Sequence, residues 1–211
     1  QYPWDGDIQI RVVKSAAKNA NMLVRIPGWV QNQVLPSDLY KYSDNERPAY
    51  TVTVNGKKVE ADLAANKGYL PLKNIKKGDV VRIRFDMPVR TVVANQNVKD
   101  DEGRVAVERG PIVYCAEAAD NQDEPVLRAV MNKQPKFTVV DDYKVENTET
   151  AGAPSFAVKA ITTDAQMLEE NADGVAVKQQ KLTLITYYAW NHRGAGEMNV
   201  WFVQSLKMLD K

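Results

Sequence analysis

Gly103-Arg-Val-Ala-Val-Glu-Arg-Gly-Pro-Ile-Val-Tyr-Cys115 is the stretch that decides the fold class. Val105 and Val107 alternate with Arg104 and Glu108, the two-residue period of a strand with one buried face. Gly110-Pro111 then breaks the chain, and a wholly apolar run from Ile112 to Ala116 follows. An alternating strand joined by a tight turn to an apolar one reads as an edge-to-core pair in a β-sheet protein.

The same period recurs on both sides of this stretch. Ile8, Ile10 and Val12 alternate with Gln9 and Arg11; Tyr50, Val52 and Val54 with Thr51 and Thr53; Val81, Ile83 and Phe85 with Arg82 and Arg84. Asn55-Gly56, between two such runs, predicts a two-residue hairpin, because a type I′ turn needs positive φ at both central positions. Pro27-Gly28 closes a strand expected at 22–26, and Lys77-Gly78-Asp79 opens the strand that follows it. Further strands are expected at 137–140, 156–160, 182–190 and 199–203. A sustained 3.6-residue period is missing; the best helical candidate is the short piece 164–171, and a helical turn is conceivable at 37–42 within a loop at 35–48. A second loop is expected at 147–154. The chain therefore reads as all-β, with two consecutive antiparallel β-sandwich domains of jelly-roll or Ig-like type. The polar run from Asn95 to Gly103 places their junction between 95 and 123, giving domains 1–98 and 99–211.

Composition narrows the function. Of 211 residues, 44% are apolar and 26% charged, the balance of a chain with a real core. The 28 Lys and Arg against 27 Asp and Glu give a net charge of +1, and the basic residues are dispersed, so no nucleic-acid partner is expected. Apolar runs reach about five or six residues, far below the roughly 20 of a membrane-spanning helix, so no membrane is expected either. The start, Gln1-Tyr-Pro-Trp-Asp-Gly-Asp7, has neither an initiator Met nor a leader pattern, as expected of a processed chain or a piece of a longer one. One cysteine cannot form an internal disulfide.

Candidate chemistry is sparse. His192 is the only histidine, and Asn191-His192-Arg193-Gly194 reads as a polar turn rather than part of a nucleophile-base pair. Cys115 sits between Tyr114 and Ala116 in an apolar strand, where a thiol behaves as a small hydrophobe. One Cys and one His exclude an intrachain zinc cluster of four N/S ligands. The carboxylate pairs Asp5/Asp7, Asp100/Asp101, Asp141/Asp142 and Glu169/Glu170 would suit a glycosidase in a cleft, but each lies in a turn-like, solvated setting. Asp5-Gly6-Asp7 and the run 99–102 offer oxygens to a hard cation without matching a calcium loop, so no metal site is expected. In Tyr187-Tyr188-Ala189-Trp190, period two puts Tyr188 and Trp190 on one face as a candidate sugar-stacking pair and Tyr187 on the other.

The chain also resembles a known family. Leu23-Val-Arg-Ile-Pro-Gly-Trp29, Val54-Asn-Gly-Lys57, Gly68-Tyr-Leu70, Lys77-Gly-Asp-Val-Val81, Met87-Pro-Val-Arg90, the run 104–115, and Thr186-Tyr-Tyr-Ala-Trp-Asn-His-Arg-Gly194 with Glu197, Met198 and Trp201 occur in the order seen in the C-terminal region of glycoside hydrolase family 127, the β-L-arabinofuranosidases. The resemblance implies an (α/α)6 barrel followed by two β-sandwiches, of which this chain is similar to the sandwiches alone. It implies that catalysis, by a zinc-bound cysteine nucleophile with further cysteine and glutamate ligands, belongs to the barrel. No residue here matches those positions, and Cys115 is in the sandwich region. No catalytic residue and no cofactor are therefore expected in this chain, only zinc in the parent's barrel.

The resemblance implies the non-catalytic region of a retaining glycosidase that acts on plant-derived glycans. It would buttress its own N-terminal barrel and mediate self-association. The alternative is a carbohydrate-binding module built on Tyr188 and Trp190, with a glycan as partner, while an autonomous carboxylate-pair glycosidase ranks last. Exposed Trp4, or else Trp29, is expected to centre the barrel-docking surface. A periplasmic or extracellular location is expected rather than a cytoplasmic one, if the parent is a bacterial glycan-degrading enzyme.

Overall fold

A computed structural model describes residues 2–15, 20–146, 155–171 and 174–209, apart from the side chains of 169–171 and 174–175. The loop expected at 147–154 and the Glu169/Glu170 side chains lie outside the described residues. The chain divides into two units, Gln1–Pro88 and Val89–Lys211. Both are all-β and sandwich-like, built from antiparallel sheets with only short 3-10 turns between strands.

In the first unit the strands are β1 (Asp7–Arg11), β2 (Ala20–Arg25), β3 (Tyr40–Tyr42), β4 (Tyr50–Val54), β5 (Lys57–Lys58), β6 (Tyr69–Ile75) and β7 (Val80–Phe85). One sheet has the order β1-β7-β4-β5, and β2 pairs with β6 in a second. In the first sheet Ile8, Ile83 and Val52 are in register, as are Gln9, Arg82 and Thr53, so apolar and polar residues segregate to opposite faces. Val52, Ile83, Val81 and Phe85 are buried accordingly, as are Val24, Leu70 and Leu72 of the other sheet. No helical turn forms at 37–42; Tyr40–Tyr42 is a strand.

The Asn55-Gly56 hairpin forms as its dipeptide requires, with φ of 51° and 81°. Its asparagine does a second job: Asn55 Nδ2 donates to Asp79 Oδ1 at 2.9 Å, while the Val80 N–H donates to Asn55 Oδ1 at 2.9 Å. Asp79 Oδ2 accepts from the Lys76 N–H at 2.9 Å, so the two turns are sewn together. These bonds hold the Asp79 carboxyl below its ordinary pKa.

The second unit comprises β8 (Val89–Ala94), β9 (Arg104–Arg109), β10 (Ile112–Glu117), β11 (Val130–Met131), β12 (Thr138–Val145), β13 (Phe156–Asn171), β14 (Gly174–Thr186), β15 (Met198–Asn199) and β16 (Phe202–Val203). Going round from β9, the pairings run to β10, β14, β13, β11 and β16 and return to β9, so the sheet closes on itself. Closure leaves no open edge along that circuit. All the pairings are antiparallel except the single parallel contact of β11 with β16. The interior is filled by Val105, Val107, Tyr114, Met131, Ile161, Met167, Leu182, Leu184 and Phe202, each almost fully buried.

Three expectations need correction. The junction falls between Pro88 and Val89, not at 98/99. The polar run after Asn95 is instead the turn between β8 and β9, which pair with Val93 opposite Val105. Its Asn95 side chain accepts from the Asn97 N–H at 3.0 Å, the local bond that makes such residues turn-formers. The helix expected at 164–171 is the outer half of β13, whose residues 161–171 pair without interruption with β14. Helix-favouring Gln166, Met167 and Leu168 lose to burial of Ala165 and Met167 on one strand face. The strand expected to run to Trp190 ends at Thr186, and Tyr187–Ala189 is a 3-10 turn.

Candidate functional site

Cys115 on β10 is wholly buried in a small core with Val145, Val158, Ile185 and Ala189. Burial first, then the negative charges of Glu117 and Asp120, pushes its thiol up to about 12. A thiol held that high is protonated at neutral pH and has no nucleophilic thiolate to offer. His192 lies on the surface, its ring edge-on to Phe156 at 6.2 Å. The structure thus gives the sole cysteine and the sole histidine separate packing roles.

Among the described carboxylate pairs, none has both members in one cleft. Asp141 and Asp142 mark a bulge in β12, where register slips between Val140 and Tyr143 and Asp142 takes a φ of 55°. Asp141 is exposed and ion-paired to Lys159. Asp100 and Asp101 lie in a surface 3-10 turn. Gly6, between Asp5 and Asp7, is required for packing: a Cβ there would sit 1.9 Å from the Phe85 carbonyl oxygen. A shallow depression on the outer face of the β1-β7-β4-β5 sheet is lined by Asp7, Gln9, Thr51, Thr53, Arg82 and Arg84 among others, with one carboxylate where acid-base hydrolysis needs two. Among the described residues, no group of three or more His, Cys, Asp or Glu is placed to hold a metal.

The most developed polar constellation escaped the sequence reading. Arg193 reaches down to Glu117 at the end of β10 and to Asp120 in the 3-10 turn that follows, and all three side chains are almost completely buried. Tyr143 on β12 donates its hydroxyl to Asp120 Oδ1 at 2.7 Å. Burial, then the bond to Asp120, raises the Tyr143 phenol above its ordinary range; bonds to Asp120 and Glu117 hold Arg193 firmly charged. Glu117 and Asp120 are 76 and 73 residues from Arg193, so no local pattern links them. The one sequence signal was an acid, Glu117, closing the apolar run that begins at Ile112.

This cluster pins the segment 187–197, which carries the candidate aromatic residues. The Asn191 N–H donates to Glu117 Oε1 at 3.3 Å, the Ala118 N–H to the Glu197 carbonyl at 2.9 Å, and the Leu127 N–H to Glu197 Oε2 at 3.1 Å. Because residues three apart eclipse in a 3-10 turn, Tyr187 rather than Tyr188 faces Trp190, with ring centroids 6.3 Å apart and planes inclined by 38°. The predicted Tyr188–Trp190 pairing assumed a strand that has already ended. Tyr187 and Tyr188 are 44% and 52% exposed, whereas Trp190 packs partly against the Cys115 core.

The docking candidates separate too. Trp4 is 42% exposed. Trp29 is buried, its ring edge-on to Phe85 at 5.6 Å, in the core of the first unit.

Comparison with known proteins places this architecture. The model of the glycoside hydrolase family 127 C-terminal domain matches residues 89–203, and that of the β-L-arabinofuranosidase GH127 middle domain matches residues 1–87. A non-reducing end β-L-arabinofuranosidase of Bifidobacterium longum subsp. longum is 31% identical over 208 residues, covering 94% of this chain and 29% of that protein. A solved GH127 β-arabinofuranosidase is 47% identical with a TM-score of 0.83, covering 98% of this chain and 31% of its own. The GH127 β-L-arabinofuranosidase of Geobacillus stearothermophilus T6 is 29% identical with a TM-score of 0.71, covering 96% and 29%. This chain spans less than a third of each of these proteins. Matched along both of its units, the chain belongs to glycoside hydrolase family 127, corresponding to the middle and C-terminal domains.

Proposed function

We propose that this chain is the non-catalytic β-sandwich region of a β-L-arabinofuranosidase-like glycoside hydrolase, which buttresses a catalytic (α/α)6 barrel elsewhere in the same polypeptide. The observation that carries the reading is the state of Cys115, the one residue that could imitate the parent's cysteine nucleophile. It is fully buried, protonated, and remote in packing from any set of zinc ligands among the described residues. Among the described residues no group fits a zinc site, and in this reading the zinc belongs to the barrel. Chain coverage supports the division of labour: the family relatives carry more than two thirds of their length outside the matched region.

In this reading the barrel is the principal partner and self-association a further one. Trp4 centres the docking surface, since an exposed indole of that size is the kind of group an inter-domain contact covers. Trp29, the alternative, fills a core instead. The substrate belongs to plant glycans bearing arabinofuranose, met in the periplasm or outside the cell. The described residues contain no helix long and apolar enough to cross a membrane.

The test is the coding sequence upstream of Gln1. A continuing frame that encodes a helical domain with clustered cysteines and a glutamate zinc ligand supports the proposal. A frame without one overturns it.

A further inference from the structure

We propose that Tyr187 and Trp190 form the stacking platform of a neutral saccharide subsite on the second unit, flanked by Asn191 and His192 and held in place by Arg193 as a positioning residue. This goes beyond the non-catalytic reading and does not depend on it.

Three features carry the inference. The first is shape. The 3-10 turn brings the two rings together, 6.3 Å between centroids and inclined by 38°. Trp190 is anchored by its inner part in the Cys115 core, while Tyr187 stays 44% exposed although it touches Trp190. A half-exposed tyrosine ring beside an anchored, partly buried tryptophan suits the apolar C–H face of a sugar.

The second is rigidity. Residues 187–197 contain no strand, and free segments of that kind lose entropy when they bind. Here the ordering is built in: Arg193 is clamped by Glu117 and Asp120, Asn191 is tied to Glu117, and Glu197 is tied to Ala118 and Leu127. A buried ion cluster adds little stability over an apolar replacement of the same volume. What this one supplies is a single conformation for the segment that displays the rings.

The third is charge. The Arg193 guanidinium is buried and already matched by the carboxylates of Glu117 and Asp120, so it is not free to pair with an anionic ligand. That arrangement disfavours uronates and other anions and leaves a neutral ligand. Asn191 and His192, both exposed beside the platform, offer hydrogen-bond groups to ring hydroxyls.

The experiment is affinity electrophoresis of the whole chain in native gels containing soluble arabinan, arabinogalactan, xylan or mixed-linkage β-glucan, with polygalacturonate as the acidic counterpart. At least one neutral polymer retards the chain. Tyr187→Ala weakens that retardation about tenfold or more, while Tyr187→Phe, which keeps the ring, retains it within about twofold. Thermal unfolding of both variants stays close to that of the parent, because Tyr187 is outside the core. No retardation by any neutral polymer, retardation by polygalacturonate alone, or retardation unchanged in Tyr187→Ala overturns the proposal. The non-catalytic reading is tested separately, by hydrolysis and by the upstream sequence, and its failure would leave this result untouched.

Discussion

Arg193 grips Asp120 through both terminal nitrogens, Nη1 donating to Oδ1 at 2.7 Å and Nη2 to Oδ2, the forked geometry in which guanidinium and carboxylate pair most strongly. The same Nη2 also reaches Glu117. A segment without strand structure is thereby fastened to the end of β10, and the aromatic turn is fastened with it.

Removing the cation should leave two buried carboxylates without their partner. Arg193→Met is expected to destabilise the chain by about 3–5 kcal/mol, the usual result of breaking a buried ion pair from one side. Tyr143→Phe, which deletes one of several bonds to Asp120, should cost about 1–2 kcal/mol. Urea denaturation of the three proteins checks the order, and equal midpoints for Arg193→Met and its parent would show that the cluster is not buried in solution.

Alkaline pH should weaken the second unit. The Cys115 thiol ionises near its ordinary 9.0 when unfolded but near 12 when folded, and the Tyr114 phenol moves from 10.0 to about 12, mainly by burial. Between those values the unfolded chain binds fewer protons, so stability falls as pH rises. The contribution is intact below pH 9 and declines by about 1.4 kcal/mol per pH unit for each group as it titrates. Thermal unfolding from pH 8 to 11 measures it, with Cys115→Ala removing part of the slope. Cys115→Ser should cost about 1–3 kcal/mol, and native labelling by a thiol reagent should be slow.

Two glycines should respond to alanine for different reasons. At Gly56, φ is 81° and nothing lies within 4 Å of an added Cβ, so Gly56→Ala should cost only the conformational penalty of about 1 kcal/mol. At Gly6 a Cβ would collide with the Phe85 carbonyl, and Gly6→Ala should cost about 3 kcal/mol as the backbone is forced aside. Chemical denaturation compares them, and equal costs would contradict the packing at Gly6.

What could be read from residues alone was local. Period two found the cores of β1, β4, β7 and β9, and the Asn55-Gly56 and Gly110-Pro111 turns were legible because their backbone demands are written in one or two residues. The outer half of β13 was not legible, because Gln166, Met167 and Leu168 favour a helix and only pairing with β14 decides otherwise. Period two put Tyr188 and Trp190 on one face and Tyr187 on the other, whereas the 3-10 turn puts Tyr187 beside Trp190. The Arg193 cluster was invisible: its members meet only through the long-range pairings of β10 with β14 and of β12 with β13. Of Trp4, the first choice for a docking surface, and Trp29, the alternative, the fold exposes the first and buries the second, which no local pattern states.

Hydrolysis by the chain itself tests the central claim most directly. Incubated with an aryl β-L-arabinofuranoside, with and without added zinc, the purified chain should release no aryl alcohol above the uncatalysed background. Turnover above background that disappears in Cys115→Ala would contradict the account.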